Sequence, residues 1–125
     1  KKEYAINVAP RAATKEARLI LKRLKKIEVS VSKNIESYRF GAAAKDLYEF
    51  FWHDFCDTYI EKAKVFIRDA KTPAQADNER IVLIYVLANS LKLLHPFIPF
   101  ITEEIWRIIP VKSKLPLIVE SWPKI

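Results

Sequence analysis

His53, Cys56 and Asp57 carry metal-ligating side chains at spacings that one turn of helix would gather. A structural zinc takes four such ligands and a catalytic zinc at least three from the protein. The only other histidine, His95, sits in a proline-flanked turn. No metal is therefore expected, and Cys56 reads as a small apolar core residue. Asp54, Asp57 and Glu61 share one side of the same helix and could imitate a catalytic carboxylate pair. A di-metal bundle would need Glu-x-x-His on two helices, and the sequence has none. These carboxylates are expected in salt bridges with cations on neighbouring helices. Glu103 and Glu104 follow Thr102 in a first helical turn, where negative charge complements the helix dipole. A phosphate-cradling loop needs several glycines and the chain has 1. With no Ser/His/Asp arrangement either, no catalytic residue is assigned.

What remains is charge and aromatic density. The net charge is +7. Residues 1–45 hold 12 Lys/Arg against 4 acidic residues, whereas residues 46–125 hold 10 against 11, so the whole excess lies in the first third. Uneven charge of this kind is the footprint of a surface that meets a polyanion. Phe50, Phe51, Trp52, Phe55, Tyr59 and Phe66 are closely spaced, and aromatics among basic residues can stack on unpaired bases. The helical period buries most of them. Tyr59 and Phe66, nearest the cations, are the stacking candidates.

The elements that would position these residues are helices. From Thr14 to about Ser37, Ala17, Ile20, Leu24, Ile27, Val31, Ile35 and Tyr38 recur every three or four residues. Lys15, Arg18, Lys22, Lys25, Lys26 and Lys33 fall on the opposite face. A second helix is expected from Phe40 or Gly41 to about Ala70, with Ala44, Leu47, Phe51, Phe55, Tyr59 and Ala63 inward and Tyr48, Trp52 and Cys56 widening the stripe. So broad a face suggests the central helix of a bundle. Thr72-Pro73-Ala74-Gln75 reads as a capping box, with Gln75 reaching back to the Thr72 amide. The stretch Ile81–Leu94 behind it is apolar nearly all round and implies a buried helix. Pro96 and Pro99 end it. A shorter fourth helix runs to Ile109 with Ile101, Ile105, Ile108 and Ile109 inward, and Pro110 stops it.

The fold expected is therefore all-α, an antiparallel bundle of about four helices over residues 13–109. Residues 1–12 read as a leader or linker. Residues 110–125 read as an irregular tail packing back on the bundle, with at most one extended piece, Leu117–Val119. The absence of methionine and the initial Lys1 suggest a piece of a longer product. A single cysteine fits a reducing cytoplasm, and no apolar run is long enough for a membrane span.

Tyr38-Arg39-Phe40, then Tyr48-Glu49-Phe50-Phe51-Trp52-His53-Asp54-Phe55-Cys56-Asp57-Thr58-Tyr59-Ile60-Glu61, resemble the anticodon-binding domain of the valyl-tRNA synthetases. So do Leu93-Leu94-His95-Pro96-Phe97-Ile98-Pro99-Phe100-Ile101-Thr102-Glu103-Glu104-Ile105-Trp106 and Ser121-Trp122-Pro123. The segments follow family order and spacing over roughly residues 18–123. Leucyl and isoleucyl relatives carry looser versions, and Phe-Cys-Asp-x-Tyr favours the valyl branch. Thr58 stands where the family usually has Trp. Residues 1–12 match nothing expected upstream, and Asn7 and Arg11 only faintly echo an Asn…Arg anticodon-reading pattern. The resemblance implies a monomeric parent enzyme that joins valine to its tRNA using ATP on a catalytic domain outside this chain. It implies no cofactor here, and two partners: the tRNA anticodon arm and that catalytic domain.

Antiparallel packing brings together the start of the first helix, the end of the second and the start of the third. That end collects Lys15, Arg18, Lys22, Lys62, Lys64, Arg68 and Arg80, with Tyr38, Arg39, Phe40 and the His95-Pro96 turn at the other. Related synthetases place anticodon contacts where the second helix finishes. The expected tRNA-binding residues are Arg18, Lys22, Lys62, Lys64 and Arg68 on phosphates, with Tyr59 or Phe66 stacking on a base. The competing reading is a protein–protein scaffold whose basic stripe meets an acidic partner or water.

Overall fold

A computed structural model describes residues 3–112, 114–117, 120, 122 and 123. The first helix is Lys15–Glu36, started by Thr14, whose Oγ1 accepts the Ala17 amide hydrogen at 3.0 Å. Ala17, Ile20, Leu24 and Val31 are buried, and the lysines face outward, as the period requires. The helix ends in a Schellman turn: the Arg39 amide donates to Asn34 O at 2.7 Å and the Tyr38 amide to Ile35 O at 3.0 Å. The residue such a turn holds left-handed is usually glycine. Here it is Tyr38, with φ 61°.

The second helix runs without a break over residues 40–68, as α-helical Phe40–Glu49, π-helical Phe50–Ile60 and α-helical Glu61–Arg68. Its wider central turns change which side chains face inward. Ala43, Leu47, Phe50, Phe55, Tyr59 and Ala63 are buried, with a five-residue step from Phe50 to Phe55 that an α-helix would not allow on one face. Ala44 and Phe51, expected in that stripe, are only partly buried, and Tyr48 and Trp52 are exposed. The Phe55 ring stacks on Tyr59 at 6.2 Å and lies 5.7 Å from Phe51.

The third helix, Pro73–Leu94, begins as its residues dictate: the Gln75 amide donates to Thr72 Oγ1 at 3.2 Å. The Gln75 side chain accepts from the Lys71 amide at 3.0 Å, one residue earlier than the expected Thr72 amide. This helix, and not the second, is the central one. One side joins the core formed with the first two helices through Val82, Tyr85, Val86, Leu93 and Leu94. The other side carries Ala88 and Leu91 into a second core with Trp106, Ile109, Val111 and Leu117.

The fourth helix, Pro99–Ile108, turns inward Thr102 and Trp106 rather than Ile101 and Ile108. Ile108 is 80% exposed. Thr102 tolerates complete burial because its hydroxyl donates to Ile98 O at 3.0 Å and meets His95 Nδ1 at 2.9 Å. Trp106 covers more apolar area than an isoleucine would, and its Nε1–H finds Leu115 O at 2.7 Å.

Residues near Tyr4 and those from Val111 to Leu117 meet at the end of this fourth helix. Tyr4 is buried and pairs in parallel with Val111: its amide donates to Pro110 O at 2.7 Å and its carbonyl accepts from Lys112 at 2.9 Å. Tyr4, in the segment expected as a leader or linker, therefore docks beside the helices. Lys114 Nζ caps the helix by donating to the carbonyls of Arg107, at 2.7 Å, and Ile109, at 2.9 Å. Leu117 opens a helical turn, its carbonyl accepting from the Glu120 amide at 3.1 Å, and does not start an extended piece; Ile118 and Val119 lie outside the described residues. No helix among the described residues is long and apolar enough to cross a membrane.

Candidate nucleic-acid interface

Helices one and two pack antiparallel, and the side chains facing across their groove say so. Ser30 and Ile27 lie level with Asp46 and Phe50. Arg23 lies level with Asp54, which its Nη1 meets at 3.1 Å, and Glu16 and Leu19 lie level with Thr58 and Lys62. Helix three closes the same end through one carboxylate. Glu79, 2% exposed, accepts from the Thr14 hydroxyl at 2.8 Å and from the Tyr59 hydroxyl at 2.7 Å. Thr14 caps helix one, Tyr59 belongs to helix two, and Glu79 lies in the second turn of helix three. Three helices, the first and third near their starts and the second at Tyr59, are thus joined at one buried carboxylate. A charge out of water must be hydrogen-bonded to persist there, so this joint tolerates little displacement.

The joint determines what the surface above it presents. Arg18 and Lys22 stand exposed on helix one, and Lys62 stands exposed on helix two beside Glu16. None of the three has a carboxylate within ion-pair distance among the described residues, and the same is true of Lys15 and Arg80. Lys64 and Arg68 are also exposed, but each has an acidic neighbour: Lys64 meets Glu61 at 2.9 Å and Arg68 meets Asp69 at 3.0 Å. Such exposed pairs are weak and open to exchange for a stronger anion. The bidentate contact with Asp69 holds the Arg68 guanidinium above its ordinary pKa and the Asp69 carboxyl below its own.

The two aromatic candidates fare differently. Tyr59 is 2% exposed, and its ring lies between Phe55 and the Glu79 carboxylate. Burial, then the bond to Glu79 and its charge, push the Tyr59 hydroxyl far above its ordinary pKa. It is a core residue of the joint and presents no face for stacking. Phe66 is half-buried beside the exposed Val65. Sequence reasoning missed Glu79 altogether, since an acidic residue near a helix start gives no sign that it will be buried. It also missed the exposed rings Tyr38, Phe40 and Trp52.

Of the carboxylates on helix two expected to pair with neighbouring helices, Asp54 does so with Arg23, whereas Glu61 meets Lys64 on its own helix. Asp57 instead meets His53 at 3.4 Å on the open surface. Cys56 packs partly into the core, where burial and then the Asp57 charge raise its thiol pKa.

The architecture is that of an all-α domain with a basic face along helix one and a buried joint between three helices. The chain belongs to the family of anticodon-binding domains of tRNA ligases, whose pattern it matches over residues 17–125. It is similar to the valine–tRNA ligase of Pseudothermotoga lettingae, at 44% identity over 108 residues, which is 86% of this chain and 12% of that protein. The valine–tRNA ligase of Geobacillus kaustophilus is 45% identical over 106 residues, covering 85% of this chain and 12% of that protein. That of Bacillus cereus is 42% identical over the same length and share. The chain thus spans about an eighth of the length of these relatives.

Proposed function

We propose that this chain is the domain by which a valine–tRNA ligase grips the anticodon arm of its tRNA. ATP-dependent attachment of valine is then performed by a catalytic domain of the same polypeptide. The observation that carries the reading is the set of exposed cations Arg18, Lys22 and Lys62, which have no ion-pair partner among the described residues and lie on the helices that the Glu79 joint ties together. Phosphates of an RNA loop displace counter-ions from such a surface, and the exchangeable Lys64–Glu61 and Arg68–Asp69 pairs add two further cations. ATP belongs to the catalytic domain and no cofactor is assigned to these residues. The reading places the working enzyme in the cytoplasm as a monomer, in keeping with the free thiol of Cys56.

The test is a salt titration of binding to valine tRNA and to an unrelated tRNA, with wild type and a Lys62→Ala, Lys64→Ala double variant. Losing two phosphate contacts lowers the slope of log affinity against log salt by roughly 1.4–1.8. Unchanged affinity at low salt refutes this placement. Equal, weak binding of both tRNAs by the wild type refutes the selective grip.

A further inference from the structure

Helix four is apolar on two sides, and only one of them is covered. Trp106 joins the core with Ala88 and Leu91 of helix three, and Thr102 is buried with it. Phe100, Ile101 and Ile108, by contrast, stand 88%, 60% and 80% exposed. Phe100, Glu104 and Ile108 follow one another at four-residue steps and form one row along the outer surface, with Ile101 beside it. Leu115, also exposed, is held next to the helix by the bond from Trp106 Nε1–H to its carbonyl. A helix whose outer side meets water carries polar residues there, and one apolar on every side belongs inside a larger body.

We infer that this outer face of helix four is the docking surface for another folded domain of the same polypeptide, which meets it with an apolar patch of its own. The inference rests on the ligase reading above, which makes this chain one part of a longer enzyme. Three observations say what covers the face. Its charge suits a protein and not RNA, because its cation, Arg107, is already paired with Glu104 at 2.9 Å. Its position leaves the basic helix free: helix four packs on the side of helix three that carries the second core, away from helices one and two. Its ends adjoin the rest of the chain. Tyr4 pairs with Val111 just past the end of the helix, and Trp122 lines a cleft with Pro96 and Phe97 just before its start. The first and last described parts of the chain thus bracket helix four, and the chain spans about an eighth of the length of its relatives. Polypeptide continuing from either point is tethered beside this face at an effective concentration on the order of millimolar, which favours it over a second copy in solution.

The test uses the full-length enzyme without tRNA, its other accessible cysteines replaced, carrying Phe100→Cys, Ile108→Cys or, as an exposed control on helix one, Val29→Cys. Each is labelled with a maleimide, and each rate is divided by that of the urea-unfolded enzyme. The two helix-four positions should react at least about tenfold more slowly than the control, since a docked side chain is reached only in molecules that have opened. Adding Ile101→Asp, which sets a charge in the apolar contact, should bring both rates up to the control. Circular dichroism melts check that this variant is folded, and its tRNA affinity should match wild type. Labelling of both positions at the control rate overturns the inference. So does protection that appears only at concentrations where sedimentation shows dimers, which assigns the face to a second copy. In either case, weaker tRNA binding by the Lys62→Ala, Lys64→Ala enzyme leaves the anticodon-arm reading standing. Protection of helix four in an enzyme whose tRNA affinity ignores the two lysines overturns that placement and keeps the docked face.

Discussion

Replacing Tyr59 with phenylalanine removes one oxygen and keeps the ring that stacks on Phe55, so it isolates the bond to Glu79. That bond is 2.7 Å long, and its acceptor is a carboxylate 2% exposed. Hydrogen bonds to charged groups contribute about 1.5–3 kcal/mol, and a buried acceptor left without its donor sits at the upper part of that range. For 125 residues, at about 4 °C per kcal/mol, Tyr59→Phe should lower Tm by roughly 6–12 °C. In a Glu79→Gln background the lost bond is neutral, so the same change should cost only about 0.5–1.5 kcal/mol. Urea denaturation of the four proteins of this cycle measures both numbers.

Alkaline pH gives an independent reading of the same bond. The folded state holds the Tyr59 proton far more tightly than the unfolded chain does. Above the ordinary tyrosine value of about 10 the unfolded state therefore binds fewer protons than the native state. Stability from this group is complete below that pH and falls as pH rises beyond it. Tyr59→Phe should flatten the part of that fall due to this residue, leaving the smaller contribution of Tyr85, which burial raises in the same direction. A Tyr59→Phe variant within about 0.5 kcal/mol of wild type, with an unaltered alkaline limb, would refute the claim that Glu79 depends on this donor.

Two further outcomes follow from local geometry. Gly41 is the second residue of helix two, and a Cβ added there meets nothing within 4 Å, so Gly41→Ala should stabilise by roughly 0.4–1 kcal/mol in a thermal melt. A neutral or negative result would mean that this first turn is not helical in solution. The Cys56 thiol, raised by burial and by Asp57, should react with iodoacetamide at pH 8 more slowly than it does in urea-unfolded protein. Equal rates in the two states would contradict its packing.

The helix ends were legible because their chemistry is local. Thr14, the Thr72-Pro73 pair and the prolines at 96, 99 and 110 act within one turn of themselves, and each end falls at or next to them. Helix one was legible along its length because its apolar and basic faces divide cleanly. Helix two was not, since a fixed step of 100° cannot anticipate π turns, and the error left the buried Phe50 out of the inward stripe and put the exposed Trp52 into it. In helix four the isoleucines lost the interior to Thr102 and Trp106, whose polar atoms find partners only once the tail and the His95 turn are in place. The approach of the first and third helix starts to the second half of helix two was deducible from antiparallel packing. The carboxylate that holds them together was not, because Glu79 is identified by partners 65 and 20 residues away.

Tyr38 offers a test of strain against packing at the end of helix one. Its φ of 61° costs a non-glycine residue about 1 kcal/mol, and it recovers little from packing, being 82% exposed with one edge-on contact to Phe40. The turn needs only a left-handed residue with an amide, which glycine supplies at no steric cost. Tyr38→Gly should therefore leave stability unchanged or raise it by up to about 1 kcal/mol in urea denaturation. If the glycine variant is less stable than wild type, the edge-on contact with Phe40 outweighs the strain at this turn.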